Sequence, residues 1–157
     1  MKKTDFQNAV EKTPSVSTAF QAGIQALEPV DRKRLDSKDQ ATGSLSLDET
    51  LKRALPNANR WDYAIGLKKN NHRERVLWLE VHSMSSGQSQ LVVEKLNWLK
   101  AWLRDDAPLL NAIEKVFIWQ LSGKDSSNPN DRRRSMQLAQ KHGLRRIVGR
   151  LDLSSFC

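Results

Sequence analysis

Trp61-Asp62-Tyr63-Ala64-Ile65-Gly66 and Arg75-Val76-Leu77-Trp78-Leu79-Glu80-Val81-His82 decide the fold. Both runs are rich in β-branched and aromatic residues, and the polar Lys68-Lys69-Asn70-Asn71 between them suits a hairpin turn. Side chains alternate across a strand, so Glu80 and His82 share one face of the second run while Leu77, Leu79 and Val81 share the other. A tight hairpin brings Asp62 beside Glu80. Two carboxylates in an apolar sheet repel and lose hydration, and they require a cation or a shared proton.

Outward from the hairpin, Leu91 to Leu103 is the clearest helix. Val92, Leu96, Leu99 and Leu103 form its apolar stripe, and Lys95 falls on the margin of that stripe, at about 100° per residue, so it faces the sheet. Val116 to Leu121 is nearly continuous in apolar residues, as a strand covered on both faces would be. Gly43 to Leu47 alternates as a first strand, followed by a helical turn from Asp48 to Leu55. Asp131 is placed to cap a basic helix from Arg132 to His142, stopped by Gly143, and Leu144 to Leu151 reads as an arginine-bearing edge strand. Upstream, Val16, Ala19, Phe20, Ile24 and Leu27 recur at helical spacing after Thr13-Pro14, which predicts a helix ending before Pro29. Residues 1–12 read as a polar, flexible tail, and Arg32-Lys33-Arg34 as a solvated loop in preference to a phosphate-contacting edge.

The 157 residues suit a single domain with its own core, residues 1–157. No stretch approaches the roughly 20 apolar residues of a membrane span, so no membrane partner is expected. The basic N-terminus lacks the apolar run of a signal peptide, and a cytoplasmic location follows as the expectation. The one cysteine, Cys157, excludes a disulfide framework or a cysteine-rich zinc site. With 26 Lys and Arg against 18 Asp and Glu, the net charge of +8 favours polyanions, nucleic acid first, and leaves room for a homodimer or a protein partner.

The order helix, three strands, helix, strand, with Asp62 in the second strand and Glu80-Val81-His82 in the third, resembles the PD-(D/E)XK nuclease superfamily. The resemblance implies a restriction-endonuclease-like αβββαβ core, an α/β protein with a mixed four- to five-stranded sheet flanked by helices. It implies that Asp62 and Glu80 hold Mg²⁺. His82 stands where the family usually has lysine, and Lys95, on the following helix, is the candidate to supply that cation. The stretches around Asp62, Glu80 and Trp98-Leu99-Lys100-Ala101-Trp102-Leu103 also resemble a group of uncharacterised bacterial proteins, a likeness that implies no activity.

Phosphodiester hydrolysis needs an activated water and a group to neutralise charge on the phosphate. Asp62 and Glu80, with the Val81 carbonyl, offer hard oxygen ligands to Mg²⁺. His82 can take a proton from water or ligate a softer ion such as Mn²⁺, and Lys95 can orient the water or stabilise the developing charge. The catalytic candidates are therefore Asp62, Glu80, His82 and Lys95. Lys124, in Ser122-Gly123-Lys124, and Arg132, Arg133 and Arg134 are the candidates to bind nucleic acid; the arginines oppose the macrodipole of their own helix, so an external anion or plain solvation must compensate. Ser44 and Asp48 are placed to approach the same mouth, Asp48 more simply as a helix cap. Trp78, Trp102 and Trp119 fit buried positions, whereas Trp61 or Trp98 is the candidate to stack on a base. His72, His82 and His142 lack zinc-ligand spacing. The alternative to an enzyme is a binding or protein-interaction module that keeps the fold with a degenerate site, Glu80 merely pairing with Lys95 or an arginine.

Overall fold

A computed structural model describes residues 2–69, 73–83 and 88–157. The elements run α1 (Asp5–Glu11), α2 (Pro29–Arg32), β1 (Leu35–Asp36), β2 (Ala41–Ser46), α3 (Leu47–Leu51), β3 (Tyr63–Leu67), β4 (Arg75–His82), α4 (Gln88–Asp105), α5 (Pro108–Asn111), β5 (Lys115–Leu121), α6 (Pro129–Lys141), β6 (Leu144–Ile147) and β7 (Leu151–Asp152). The chain is an α/β protein with a mixed five-stranded sheet in the order β2-β3-β4-β5-β6. β2, β3 and β4 form an antiparallel meander; α4 then crosses over so that β5 and β6 lie parallel to β4.

The register follows from the alternation. Tyr63 pairs with Leu79 and Ile65 with Leu77, which carries the line of β3 to Asp62 opposite Glu80. One face of the sheet presents Ala64, Val76, Trp78, Trp119 and Leu121 to a core shared with α1, α3, α4 and α5. The other presents Tyr63, Ile65, Leu77, Leu79, Val116 and Ile118 to Ile24, Leu27, Leu35, Leu153 and Phe156. α4 is about 27 Å long at 1.5 Å per residue, enough to run the length of β4. Its Trp102 meets Trp78 edge to face at 6.5 Å between ring centroids, a packing worth more than the area it buries.

The N-terminal third departs from its sequence reading. Asp5–Glu11 is a helix, capped by Thr4 through the Gln7 N–H and anchored by fully buried Phe6 and Val10, so the flexible tail is corrected for these residues. No long helix follows Thr13. Pro14–Val16 forms one 3₁₀ turn, and the chain then bends, with Gln21 bridging Ser44 at the outer edge of β2. Val16 and Phe20 pack on the α4 face while Ile24 and Leu27 pack on the opposite face. A single helix cannot reach both faces of a sheet; a segment folded round its edge can. Gly43 permits the wrap, because a Cβ there would lie 2.2 Å from the Phe20 ring.

The expected last strand is divided. β6 forms the sheet edge, the chain turns at Gly149 with φ of 88°, and β7 pairs in parallel with β1. Positive φ is natural for glycine and strained for other residues, so Gly149 is where the divided strand turns. Among the described residues no helix is long and apolar enough to cross a membrane.

Candidate functional site

The line of β3 and the carboxyl ends of β2, β4, β5 and β6 meet at one end of the sheet, the position at which open α/β sheets present ligand sites. Four residues singled out from the sequence converge there. The Asp62 N–H donates to Glu80 Oε1 at 3.2 Å, and the Val81 N–H donates to Asp62 Oδ2 at 3.0 Å, a reciprocal clasp between the two strands. Lys95 reaches down from α4 to Glu80 Oε2 at 2.5 Å. His82 Nδ1 lies 3.6 Å from the same oxygen, and its Nε2 meets Gln88 Oε1 at 2.5 Å, at the start of α4.

Glu80 is 0% exposed, whereas Asp62, His82 and Lys95 are partly open to solvent. Burial pushes Asp62 up to about 6, against the pull of the Lys95 ammonium and the Val81 N–H. Burial, and then the Asp62 charge, push Glu80 up to about 8, against Lys95. Burial works to lower Lys95 as well, but the Glu80 and Asp62 charges outweigh it and hold the ammonium above its ordinary value. The site thus carries two carboxyls for one lysine. It is close to neutral while one proton remains on the pair and becomes net negative when both carboxyls ionise.

The backbone supports the same geometry. In an extended strand a residue's N–H and C=O point to the same side, so the Val81 carbonyl faces Asp62, beyond the last β3–β4 pair at Tyr63 and Leu79. Asp62 Oδ1 accepts no hydrogen bond among the described residues. Mg²⁺ is commonly held by one or two carboxylates and keeps several waters, which this oxygen set fits; among the described residues no three His, Cys, Asp or Glu side chains form a ready-made cation cluster.

Other residues sit differently from expectation. Ser44 is buried on the far face, where its hydroxyl accepts from the Ala26 N–H at 3.0 Å, so it does not reach the mouth. Asp48 lies in the first turn of α3, capped instead by Ser46, and pairs with Arg60 Nε at 3.1 Å; its charge acts on both Asp62 and Lys95. Trp61 is 0% exposed and cannot stack on a base. Trp98 is partly exposed but stacks on Trp102 at 6.2 Å. His72 lies outside the described residues, and His142 ends α6, its carbonyl accepting from Lys100.

Lys124 and the Arg132–Arg134 run follow β5 and lie at the same end of the sheet, without a hydrogen bond or ion pair to the four central residues. Asn128, not Asp131, caps α6. Arg132 is tied to Asp125 at 3.2 Å, while Lys124, Arg133 and Arg134 are exposed. Asp125 also pairs with Arg146, whose guanidinium lies over the Trp119 ring at 5.8 Å; Trp119 in turn donates to the His82 carbonyl at 3.1 Å. This chain of contacts fixes the end of β4 relative to the arginine loop.

Gln88, Arg60 and the Asp125–Arg146 pair were not singled out from the sequence. Arg60 had a signal, lying two residues before Asp62. Its Nε and Nη1 are held by Asp48 and the Leu55 carbonyl. Comparison of the chain with protein-family models, curated proteins and solved structures finds no match.

Proposed function

We propose that this protein is a metal-dependent nuclease with a restriction-endonuclease-like core. The observation that carries the reading is the clasped carboxyl pair: two acids at neighbouring strand ends, both held above the ordinary carboxylate range, with a single ammonium, that of Lys95, bonded to Glu80. The meander of three strands followed by a helical crossover to a parallel fourth supports it, as does the net charge of +8. Asp62 Oδ1, Glu80 Oε2 and the Val81 carbonyl would hold Mg²⁺ or Mn²⁺. The ion would supply charge neutralisation at the phosphate and a more acidic water.

The chain's own groups do the rest. Lys95 presents its ammonium beside Glu80, where a phosphate oxygen gains a partner as charge develops on it. His82, steadied by Gln88, stands beside Glu80 to take a proton from water. Lys124, Arg133 and Arg134 offer phosphate contacts along the same end of the sheet, which position a nucleic acid without reading its sequence.

A labelled oligonucleotide mixture incubated with Mg²⁺ or Mn²⁺ tests this. Cleavage by the wild type, lost in Asp62→Asn and in Lys95→Ala, is the expected result. The complete burial of Glu80 against Lys95 favours a second reading, a nucleic-acid-binding module that retains the ion pair for stability. Binding of the same oligonucleotides without cleavage under either metal would select it.

A further inference from the structure

A cavity of about 440 Å³ lies at the opposite end of the sheet from Glu80, between the amino end of β5, the last turns of α4 and the end of α6. Arg75, Lys100, Lys115 and Arg145 line it, with Glu114 as its one acid. That acid is already engaged by Arg75 Nη2 at 2.8 Å and by Lys69 from outside the cavity. The remaining cations rest on neutral groups. Lys115 Nζ donates to the Asn111 carbonyl at 2.6 Å, and Lys100 donates to the His142 carbonyl at 3.2 Å while lying over the Phe117 ring at 5.6 Å.

Two details mark the charge as uncompensated. Burial lowers the Lys115 ammonium below its ordinary value, and no carboxylate pulls it back. Among the described residues the buried Arg75 Nε–H has no partner. The carbonyls that receive Lys100 and Lys115 belong to helix ends, and a helix end supplies only about half a negative charge, too little to balance a full ammonium.

We infer that this cavity, lined by Arg75, Lys100, Lys115 and Arg145, binds a phosphate group, with the two lysines offering point charges, the Arg75 Nε–H an unused donor, and Arg145, exposed and over the Phe156 ring at 5.6 Å, adding charge. The phosphate belongs either to a small free compound or to a nucleic-acid chain; the chemistry of recognition is the same. The cavity is separate from the carboxyl pair, since Lys115 pairs with Val76, about 13 Å along β4 from Glu80 at 3.3 Å per residue. It does not depend on the nuclease reading.

The test is calorimetric titration of inorganic pyrophosphate, at fixed ionic strength, into the full chain, into Lys115→Met, into Arg145→Gln on the exposed edge strand, and into Asp62→Asn. Saturable binding is expected, weakened by about tenfold or more in Lys115→Met and measurably in Arg145→Gln, and unchanged in Asp62→Asn. A short oligonucleotide without terminal phosphate then identifies the source: competition with pyrophosphate assigns the site to a nucleic-acid chain, and lack of competition assigns it to a free phosphate compound. Absence of saturable pyrophosphate binding, or equal binding by wild type, Lys115→Met and Arg145→Gln, overturns the proposal.

Discussion

Asp125 and Glu80 lie at the same end of the sheet, and both face cations, yet their environments push them in opposite directions. Asp125 is partly buried, which works to raise it, but the donors of Ser127 and Arg146 hold it below the ordinary range, and Arg132 pairs with it as well. Glu80 has Lys95 and the Asp62 N–H, and these do not offset its burial and the second carboxyl. An acid kept for structure is supplied with enough donors to stay ionised. An acid whose neighbours leave it short of positive charge is suited to accept a proton or a metal ion, and this is the difference on which the functional reading rests.

The largest effect expected from breaking this contrast is on chemistry. Glu80→Gln keeps the shape and the Lys95 contact but removes an ionisable ligand, and metal-dependent cleavage should fall by about a hundredfold or more in a steady-state assay. Asp125→Ala should leave metal binding intact and instead unfold more readily, losing about 3 kcal/mol in denaturant titration, because Arg146 is left partly buried and unpaired. If Asp125→Ala abolished metal binding while Glu80→Gln lowered stability, the assignment of the two acids would be reversed.

Acidity sharpens the comparison. Asp62 and Glu80 titrate near 6 and 8 in the folded chain against ordinary values of 3.8 and 4.5, so the folded state holds extra protons between those limits. Their contribution to metal-free stability is full below about pH 4 and is lost as pH rises toward 8. Lys95, Asp48, Asp31 and His82 are the charged or titratable neighbours of this pair. Asp125 has the opposite sign: its contribution is present above the ordinary 3.8 and is lost as pH falls through its lowered value. Thermal melts without metal should show stability declining from pH 5 to pH 9, and Glu80→Gln should flatten that decline, gaining about 1 kcal/mol or more at pH 9. A smaller effect is expected for His82→Lys. Alone it should change cleavage little, because Lys95 already serves Glu80, but in a Lys95→Ala background it should restore about tenfold.

The hairpin, α4 and β5 were legible because alternation and helical periodicity are strong there; alternation placed Asp62 beside Glu80, and helical periodicity placed Lys95 above them. Phe6, Ala9 and Val10 carried a helical spacing that the surrounding polar residues concealed. Val16 to Leu27 misled because helical spacing is also met by a segment that wraps an edge and sends alternate apolar groups to two faces. Gln88 on His82, Arg60 on Asp48 and Arg146 on Asp125 join parts of the chain through long, polar side chains, and no periodicity records such pairings. The same holds for the cavity around Lys115, whose cations are scattered from Arg75 to Arg145.

The most direct test of the carboxyl pair is calorimetric titration of Mg²⁺ and Mn²⁺ at pH 6.0 and pH 8.5, in buffers of different ionisation enthalpy, into the wild type and a folded Asp62→Ala, Glu80→Ala double variant. The account requires saturable binding that strengthens toward pH 8.5, releases protons at the lower pH, and disappears in the variant. Heats that are unsaturable at both pH values, or binding that survives in the double variant, would contradict it.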